Sequence, residues 1–487
     1  MNKNPLSSAR LYESIYSRDI SPTERPAFHL STLVGWLNDP NGFSVYKGEY
    51  HLFYQYHPYN TNWGPMHWGH AKSKDLLHWQ WLPAAIAPDQ EYDNAGCYSG
   101  SAIERPDGTH LLLYTGVQSI TDAVGREVTR QIQCVALGDG TDYQKYAENP
   151  VLDEEDLPEG GSSVDFRDPK IWREADGSYR AVAVNLTEDG SAAVRLFRSE
   201  DALHWSFDRT LVRCENRIGK MWECPDYFKL DGQQILIVSP MEMEAQGLEF
   251  HNGYSTVSML GHEDEQGHFV WDTVRSLDYG LDFYAPQTLL TGDGRRILIG
   301  WMQRQESCRC QPPGAKWFGQ MTLPRELSIR DGRLIQIPIR ELEALRKATL
   351  HWYGEMSGSV AIPGVQGRVT DLTLRIHPGS YRRFTVQVAA DERHHTDIFH
   401  CSASDTVTLD RTFSGFLFDI LHSRTCKVRP GTVELRVILD RFSVEVFVNG
   451  GEQVLTSTIY TDQSAQDIRF VCEGTARVEL EQHFLDI

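Results

Sequence analysis

Two short strings in this sequence each place an acidic side chain beside a tryptophan and a proline. Asp39 lies in residues 36–42 (WLNDPNG), and Glu223 lies in residues 222–226 (WECPD). Hydrolysis of a glycosidic bond uses two carboxyl groups in unlike surroundings, one of which protonates the leaving oxygen. The chemistry therefore depends on whether Asp39 and Glu223, which are far apart in the chain, meet in one pocket.

The residues around Asp39 predict a tight turn that could hold its side chain in one orientation. Pro40 fixes φ and Gly42 permits positive φ, and both follow the apolar Leu33 and Val34. A fixed aspartate of this kind can act as a nucleophile. The same residues are also typical of an ordinary surface turn, and only the nearby tryptophan favours a sugar site.

Two further acidic positions can be interpreted in the same way. Trp222 and Cys224 solvate charge poorly, so partial burial between them favours the protonated carboxyl group that a general acid needs at Glu223. Asp168 follows Arg167, which would keep it ionised and able to bind sugar hydroxyls without attacking. The alternatives are an exposed strand glutamate and a surface Arg–Asp pair.

Aromatic and polar residues that suit a sugar pocket are concentrated in the first two thirds of the chain. Eleven of the twelve tryptophans precede residue 320. A sugar ring stacks on tryptophan or tyrosine and is hydrogen-bonded by amides and hydroxyls. The candidates for these contacts are Gln55, Trp63, Tyr98, Ser99, Tyr284 and Trp301. Each aromatic residue on its own is more typical of a hydrophobic core.

Several other function classes find little support in the sequence. Five histidines lie between His51 and His78, but no cysteine or well-placed acid completes a ligand set, so we predict no metal site. No glycine-rich phosphate loop or dinucleotide-binding motif stands out, and we predict no cofactor. The net charge of −20 argues against nucleic-acid or anionic-membrane partners, although a local basic patch can exist in an acidic chain. Nine scattered cysteines, no apolar signal segment and no long apolar run predict a cytoplasmic protein.

The organisation of the chain predicts an all-β protein. Short strand-like runs follow glycine-containing turns, and SKDLLHW at residues 73–79 recurs as SEDALHW at residues 199–205. If two units separate the copies, each unit has about 63 residues and the region 28–337 holds about five, as in a propeller or solenoid. We predict a helical linker at 338–349, around Arg340–Lys347, and a second β domain, a sandwich, at 350–487.

Seven strings in order along the chain resemble the motifs of glycoside hydrolase family 32, the β-fructofuranosidases. This family includes invertases, sucrose-6-phosphate hydrolases and exo-acting fructanases. The strings are WLNDPNG at 36–42, WGHA at 68–71, YSGS at 98–101, FRDP at 166–169, ECPD at 223–226, DFYA at 282–285 and LPREL at 323–327.

The resemblance implies a five-bladed β-propeller with an axial pocket, followed by a C-terminal β-sandwich. It implies that Asp39 is the nucleophile, Asp168 the transition-state stabiliser and Glu223 the general acid/base. The fructosyl unit would be bound by Asn38, Gln55, Trp63, Ser99, Arg167, Tyr284 and Trp301, with Tyr98 beside them. A retaining mechanism would place the carboxyl groups of Asp39 and Glu223 about 5–5.5 Å apart.

The expected activity is release of terminal fructose from sucrose and short fructo-oligosaccharides by a monomer or homodimer. Sucrose 6-phosphate would need a basic group at the pocket rim, for which Arg304, Arg309 and Lys316 are candidates. We assign no family motif to residues 304–313, which follow Trp301 and could border the pocket. A fructosyltransferase would use the same three carboxylates, and a non-catalytic fructan-binding protein would not need them.

Overall fold

The computed structural model describes residues 4–121, 124–415 and 420–487. Within these ranges the chain is built mainly of β-strands, and its one α-helix is α1 (Pro5–Tyr16). Asn4 caps this helix by accepting a hydrogen bond from the backbone N–H of Ser7, and proline occupies the first turn. Short 3-10 helices occur at Ser17–Asp19, Pro22–Glu24, Glu91–Asp93, Glu154–Asp156, Gln305–Arg309 and Arg340–Leu345.

The predicted five-bladed propeller is confirmed. The first blade holds β1 (Gly35–Tyr46), β2 (Glu49–His57), β3 (His67–Ser73) and β4 (Trp79–Ile86); the second holds β5 (Gly96–Glu104), β6 (His110–Thr121), β7 (Glu127–Gly138) and β8 (Tyr143–Lys145). The third holds β9 (Phe166–Arg173), β10 (Tyr179–Leu186), β11 (Ala192–Ser199) and β12 (Ser206–Arg213); the fourth holds β13 (Trp222–Leu230), β14 (Gln233–Pro240), β15 (Val257–Glu263) and β16 (Phe269–Ser276).

The fifth blade closes the ring. It holds β17 (Tyr284–Leu290) and β18 (Arg296–Trp301), and after the short β19 (Trp317–Phe318) it continues with β20 (Arg325–Arg330) and β21 (Arg333–Pro338). Strand β19 pairs in parallel with the start of β1, so the segment between β18 and β20 joins the last blade to the first. The first strand of each blade is innermost, because β1, β5, β9, β13 and β17 contact one another around the ring.

The repeated heptapeptide forms the same turn in two blades. Asp75 Oδ1 accepts the backbone N–H groups of Leu77 and His78 between β3 and β4. Asp201 Oδ1 accepts those of Leu203 and His204 between β11 and β12, at the equivalent place two blades later. The interpretation of the repeat as two separate copies of one supersecondary unit was therefore correct.

Residues 36–42 do not form the predicted tight turn. They lie within β1, whose pairing with β2 shifts register between Leu37 and Pro40 and again between Asn41 and Ser44. Pro40 is tolerated because β19 pairs only with Gly35 and Trp36, so at Pro40 that edge of β1 is unpaired and a missing N–H breaks no ladder bond there. Gly42 has φ +53, and a Cβ there would lie 2.6 Å from the Phe53 ring, so glycine is required.

The C-terminal domain is the predicted β-sandwich. Its strands are β22 (Arg346–Val360), β23 (Thr370–Ile376), β24 (Arg383–Ala390), β25 (Thr396–Cys401), β26 (Thr406–Asp410), β27 (Ser423–Lys427), β28 (Val433–Asp440), β29 (Ser443–Val448), β30 (Gln453–Thr458) and β31 (Asp467–Leu485). The long β31 pairs with β22 on one side, and on the other with β24 through its first half and β23 through its second. The two layers therefore share one strand and enclose one apolar core.

The predicted linker helix is shorter than expected. Residues Arg340–Leu345 form a 3-10 helix, and β22 begins at Arg346, where it pairs with Leu485 of β31. Leu342 and Leu345 are buried and form the apolar side of this short helix. Pairing with β31 competes with further helix formation and determines where the helix ends.

A buried network of charges joins the two domains. His29 lies between Asp440, at 2.8 Å, and Glu445, at 2.9 Å, and Arg325 bonds both Glu445 and Asp278. Burial alone would lower the pKa of His29, but its hydrogen bonds to the two carboxylates raise that pKa to about 9. The arginine of the LPREL string is thus structural, since removing one member would leave buried charges unpaired.

Candidate active site

Each inner strand of the propeller carries a β-bulge at the same end. The two-residue bulges are at residues 38–39 of β1, 168–169 of β9, 224–225 of β13 and 285–286 of β17, and β5 has a one-residue bulge at Ser99. A bulge bends a strand and redirects its side chains. Here the five bulged ends converge on one cavity of about 570 Å³.

All eleven predicted site residues line this cavity. They are the three acids Asp39, Asp168 and Glu223 and the eight candidate sugar contacts Asn38, Gln55, Trp63, Tyr98, Ser99, Arg167, Tyr284 and Trp301. Sequence reasoning did not assign a contact to Asn62, Met241, Tyr254, Gln305 or Cys308, which also line it. These five lie in segments between strands, where no periodic pattern or motif marks them.

Asp39 lies in the bulge of β1 and is mostly buried. Its Oδ2 accepts a hydrogen bond from Ser99 Oγ at 2.8 Å, and its Oδ1 accepts one from Asn38 Nδ2 at 3.2 Å. Trp36 Nε1 in turn donates to Asn38 Oδ1 at 2.8 Å, which orients the amide. Burial, and then the nearby charge of Glu223, raise the pKa of Asp39 to about 6, and the hydrogen bonds from Ser99 and Asn38 oppose this rise.

Asp168 lies in the bulge of β9 with φ +62, a strained conformation for a residue other than glycine. Its backbone N–H donates to Thr115 Oγ1, and its Oδ2 accepts the backbone N–H of Cys224 at 2.9 Å. Burial raises the pKa of Asp168, the positive charge of Arg167 lowers it, and the charge of Glu223 raises it again, to about 7. These contacts hold the carboxylate in one orientation facing the cavity.

Glu223 lies directly before the bulge of β13. Its Oε2 accepts a hydrogen bond from the Tyr284 hydroxyl at 2.7 Å, and its Oε1 accepts one from Arg167 Nε at 3.2 Å. The side chain is 24% exposed and so remains open to the cavity. Trp222, expected to shield Glu223, is instead fully buried in the core between the third and fourth blades and donates to Ile218 O.

Two side chains connect the three acids. The Cys224 thiol lies 3.7 Å from Asp39 Oδ2 and 3.7 Å from Asp168 Oδ2. The Arg167 guanidinium contacts Glu223 and lies 4.0 Å from Asp168. It also forms an ion pair with Asp165, at 2.8 Å. Three carboxylates from three different blades therefore share one pocket with one buried cation.

The three basic candidates at the rim lie in different places. Only Arg309 lines the cavity; its side chain is exposed, and it forms no ion pair with any described residue. Arg304 is buried and bonds His251 Nδ1. Lys316 donates to the backbone oxygen of Asp19, away from the cavity.

The histidines considered as metal ligands bond to each other or to the protein. His51 Nδ1 lies 2.9 Å from His70 Nε2, and His57 Nδ1 lies 3.0 Å from Asn62 O. Over residues 4–121, 124–415 and 420–487 no cluster of three His, Cys, Asp or Glu side chains is arranged to hold a metal ion. No helix in those same ranges is long and apolar enough to cross a membrane.

Two protein-family models cover most of the chain. The glycosyl hydrolases family 32 N-terminal domain matches residues 29–338, and the glycosyl hydrolases family 32 C terminal matches residues 341–484. This chain belongs to glycosyl hydrolase family 32. The first match spans the propeller that carries the pocket, and the second spans the sandwich, so both parts of the chain fit the family.

Individual family 32 proteins resemble this chain over nearly its whole length. It is 36% identical to a sucrose-6-phosphate hydrolase of Escherichia coli over 456 residues, which cover 91% of each protein. It is 35% identical to one of Bacillus subtilis (strain 168), with 97% of each covered. A solved family 32 β-fructofuranosidase of Bombyx mori superposes with a TM-score of 0.84 at 32% identity, covering 100% of this chain and 99% of that one.

Proposed function

We propose that this protein is a retaining β-fructofuranosidase that releases terminal β-D-fructofuranosyl units from sucrose and short fructo-oligosaccharides. The observation that carries the proposal is the meeting of Asp39, Asp168 and Glu223 in one pocket, linked by Arg167 and Cys224. Support also comes from a Bombyx mori relative, a mutant of which was solved in complex with sucrose and superposes with a TM-score of 0.85 at 32% identity.

In the first step Asp39 attacks the anomeric carbon of the fructosyl unit while Glu223 protonates the leaving oxygen. The bond from carbon to the leaving oxygen breaks as the bond to Asp39 forms, giving a covalent fructosyl-enzyme. Ser99 and Asn38 aim the nucleophile, and Tyr284 and Arg167 hold Glu223 at the mouth of the pocket.

In the second step Glu223, now ionised, accepts a proton from water, and the oxygen of that water displaces Asp39. Free fructose leaves, and both carboxyl groups return to their starting protonation states. Asp168 does not react; held by the N–H of Cys224, it accepts hydrogen bonds from sugar hydroxyls as positive charge develops on the ring.

The closed floor of the cavity supports an exo-acting enzyme. Gln287 crosses the channel below the acids, where its Nε2 donates to Gly100 O at 2.7 Å and its Oε1 accepts the N–H of Phe43 at 3.3 Å. A fructan chain cannot be threaded through the propeller at this point, which suits an enzyme that binds the end of its substrate. Fructosyl transfer would use the same site, with a sugar hydroxyl in place of water.

The test compares Glu223→Gln with Glu200→Gln, a matched change at an exposed surface position. General acid–base catalysis contributes about 10²–10⁴-fold, so E223Q should lose about that factor in kcat on sucrose while E200Q keeps wild-type activity. Products from sucrose, 1-kestose, inulin and levan are measured at the same time. Equal activity of the two variants would refute the assignment, and formation of longer oligomers would indicate transfer.

Sucrose 6-phosphate is a second candidate substrate, and Arg309 favours it. Arg309, which forms no ion pair within the described ranges, lies at the cavity, where a phosphate on the leaving glucose could meet it. Both relatives described above from Escherichia coli and Bacillus subtilis carry the name sucrose-6-phosphate hydrolase. Arg309→Gln should raise KM for sucrose 6-phosphate about ten-fold and leave KM for sucrose unchanged, since a charge-assisted bond contributes about 1.5–3 kcal/mol. An equal change in KM for sucrose and for sucrose 6-phosphate would exclude this role.

We also propose that the protein acts in the cytoplasm as a monomer or homodimer, with a catalytic domain at 28–337 and a largely structural domain at 350–487. The nine cysteines are all free, which suits a reducing compartment. Size-exclusion chromatography with light scattering measures the oligomeric state directly.

A further inference from the structure

Two segments that are distant in sequence form one side of the pocket mouth. Residues 58–66 connect β2 to β3 and carry Asn62 and Trp63, and Trp63 is 56% exposed. Residues 302–316 connect β18 to β19 and carry Gln305, Cys308 and Arg309. The second segment contains residues 304–313, to which sequence reasoning assigned no family motif.

The side chain of Gln311 joins these two segments. Thr61 Oγ1 donates to Gln311 Oε1 at 2.6 Å, and Gln311 Nε2 donates to Thr61 O at 2.5 Å. The same Nε2 lies 3.3 Å from Asn62 Oδ1, and Asn62 lines the cavity. The amide of Gln311 thus accepts a hydrogen bond from the hydroxyl of Thr61 and donates one to the carbonyl of the same residue, so both ends of the amide are used.

Each segment has further attachments to the propeller. Arg304 bonds His251, which ties the beginning of residues 302–316 to the fourth blade, and at the other end Lys316 O accepts the N–H of Gly35 in the first blade. Tyr12 of α1 donates to Tyr59 O at 3.1 Å, and His57 contacts Asn62 O, which ties residues 58–66 to the first blade. The bonds of Gln311 therefore join the middle of residues 302–316, between its two anchored ends, to residues 58–66.

We infer that Gln311 is a positioning residue for the leaving group, an inference that depends on the proposed fructosidase activity. The terminal fructosyl unit must reach Asp39 at the inner strands. The leaving sugar, to which that unit is bonded, therefore has to lie toward the mouth of the pocket. The two joined segments form that part of the cavity. Holding them together keeps Asn62 and Arg309 within reach of the leaving sugar before substrate binds.

The test compares two substrates that differ only in the leaving group. In sucrose the leaving group is glucose, whereas in methyl β-D-fructofuranoside it is methanol, which cannot reach the rim. Gln311→Ala should reduce the ratio of kcat/KM for sucrose to that for the methyl glycoside by roughly three- to ten-fold, mainly through KM, since one or two hydrogen bonds have this effect. Thr61→Val should reduce the same ratio, and Thr61→Ser, which keeps the hydroxyl, should restore it.

The double variant distinguishes a coupled pair from two separate effects. Thr61→Val combined with Gln311→Ala should be no worse than Gln311→Ala alone, because both changes break the same contact. An unchanged ratio in either single variant, with a normal melting temperature, would overturn the inference, as would equal losses on both substrates. Failure of the wild-type protein to hydrolyse sucrose at all would instead refute the proposed function.

Discussion

Ser99 offers a direct test of how the pocket keeps Asp39, the proposed nucleophile, ionised. Its hydroxyl donates to Asp39 Oδ2 at 2.8 Å and opposes the burial and the charge of Glu223 that raise the pKa of Asp39 to about 6. Ser99→Ala removes this donor without adding a charge or bulk. We expect the pKa of Asp39 to rise further, because the ionised form loses a hydrogen bond that the protonated form does not need.

The size of the effect follows from the remaining contacts. A hydrogen bond to an ionised group contributes about 1.5–3 kcal/mol, and one pKa unit corresponds to about 1.4 kcal/mol. Asn38 and Cys224 still contact the carboxylate in the variant, so the lower end applies, a rise of about one unit. At pH 6 the ionised fraction of Asp39 would fall from about one half to about one tenth, whereas at pH 8 it would change little.

The assay is kcat/KM for sucrose between pH 5 and pH 8.5, expressed as the ratio of variant to wild type. Groups common to both proteins cancel in this ratio, and a lost sugar contact would lower it equally at every pH. The ratio should fall about five-fold between pH 8 and pH 6. Ser101→Ala is the matched control, since Ser101 lies on the same strand and donates to Pro169 O. A flat ratio for S99A would refute the reasoning.

Two further predictions concern stability. The pKa of Asp39 lies above the ordinary aspartate value of 3.8, so the folded protein binds this proton more tightly and loses stability as pH rises from about 4 to about 6. Asp39→Asn should therefore stabilise the protein by up to about 3 kcal/mol at pH 7 and by little at pH 4, measured by thermal unfolding; equal stability at pH 7 would contradict this. His29 has a pKa raised from 6.5 to about 9, so its contribution of about 3 kcal/mol is present below pH 6.5 and is lost as pH rises through 9. In His29→Gln the stability should no longer fall as pH rises through 9. A pH dependence of stability equal to that of the wild type would exclude this role of His29.

The sequence predicted which residues line the cavity better than it predicted their local structure. Asp39, Asp168 and Glu223 were found because each lies in a short string with a proline, an arginine or a tryptophan nearby. The proline and glycine after Asp39 indicated a turn, yet the structure places them in a bulged inner strand. A turn and a bulge use the same residues, so only the pairing with β2 distinguishes them.

Other features depend on tertiary contacts that no local pattern reveals. Helix α1 was not predicted; of its twelve residues only Ala9 and Glu13 are buried, and its apolar pattern is weak. The end of the predicted linker helix depends on β31, more than a hundred positions later. Arg325 forms ion pairs with Asp278 and Glu445, which are far from it in the sequence. Its structural role could therefore not be inferred from the LPREL string.

The bulges of the inner strands have a second consequence, for association between molecules. Strands β5, β9, β13 and β17 pair with a neighbour on one side only, so each exposes an unpaired edge if the ring opens. Such edges are templates for pairing with another chain. Pro169, Pro225 and Pro286 in the bulges lack a backbone N–H group. The bulges also interrupt the regular spacing of the other backbone N–H and C=O groups along these edges. The distortions that direct the acids into the pocket also make a half-open propeller a poor seed for aggregation.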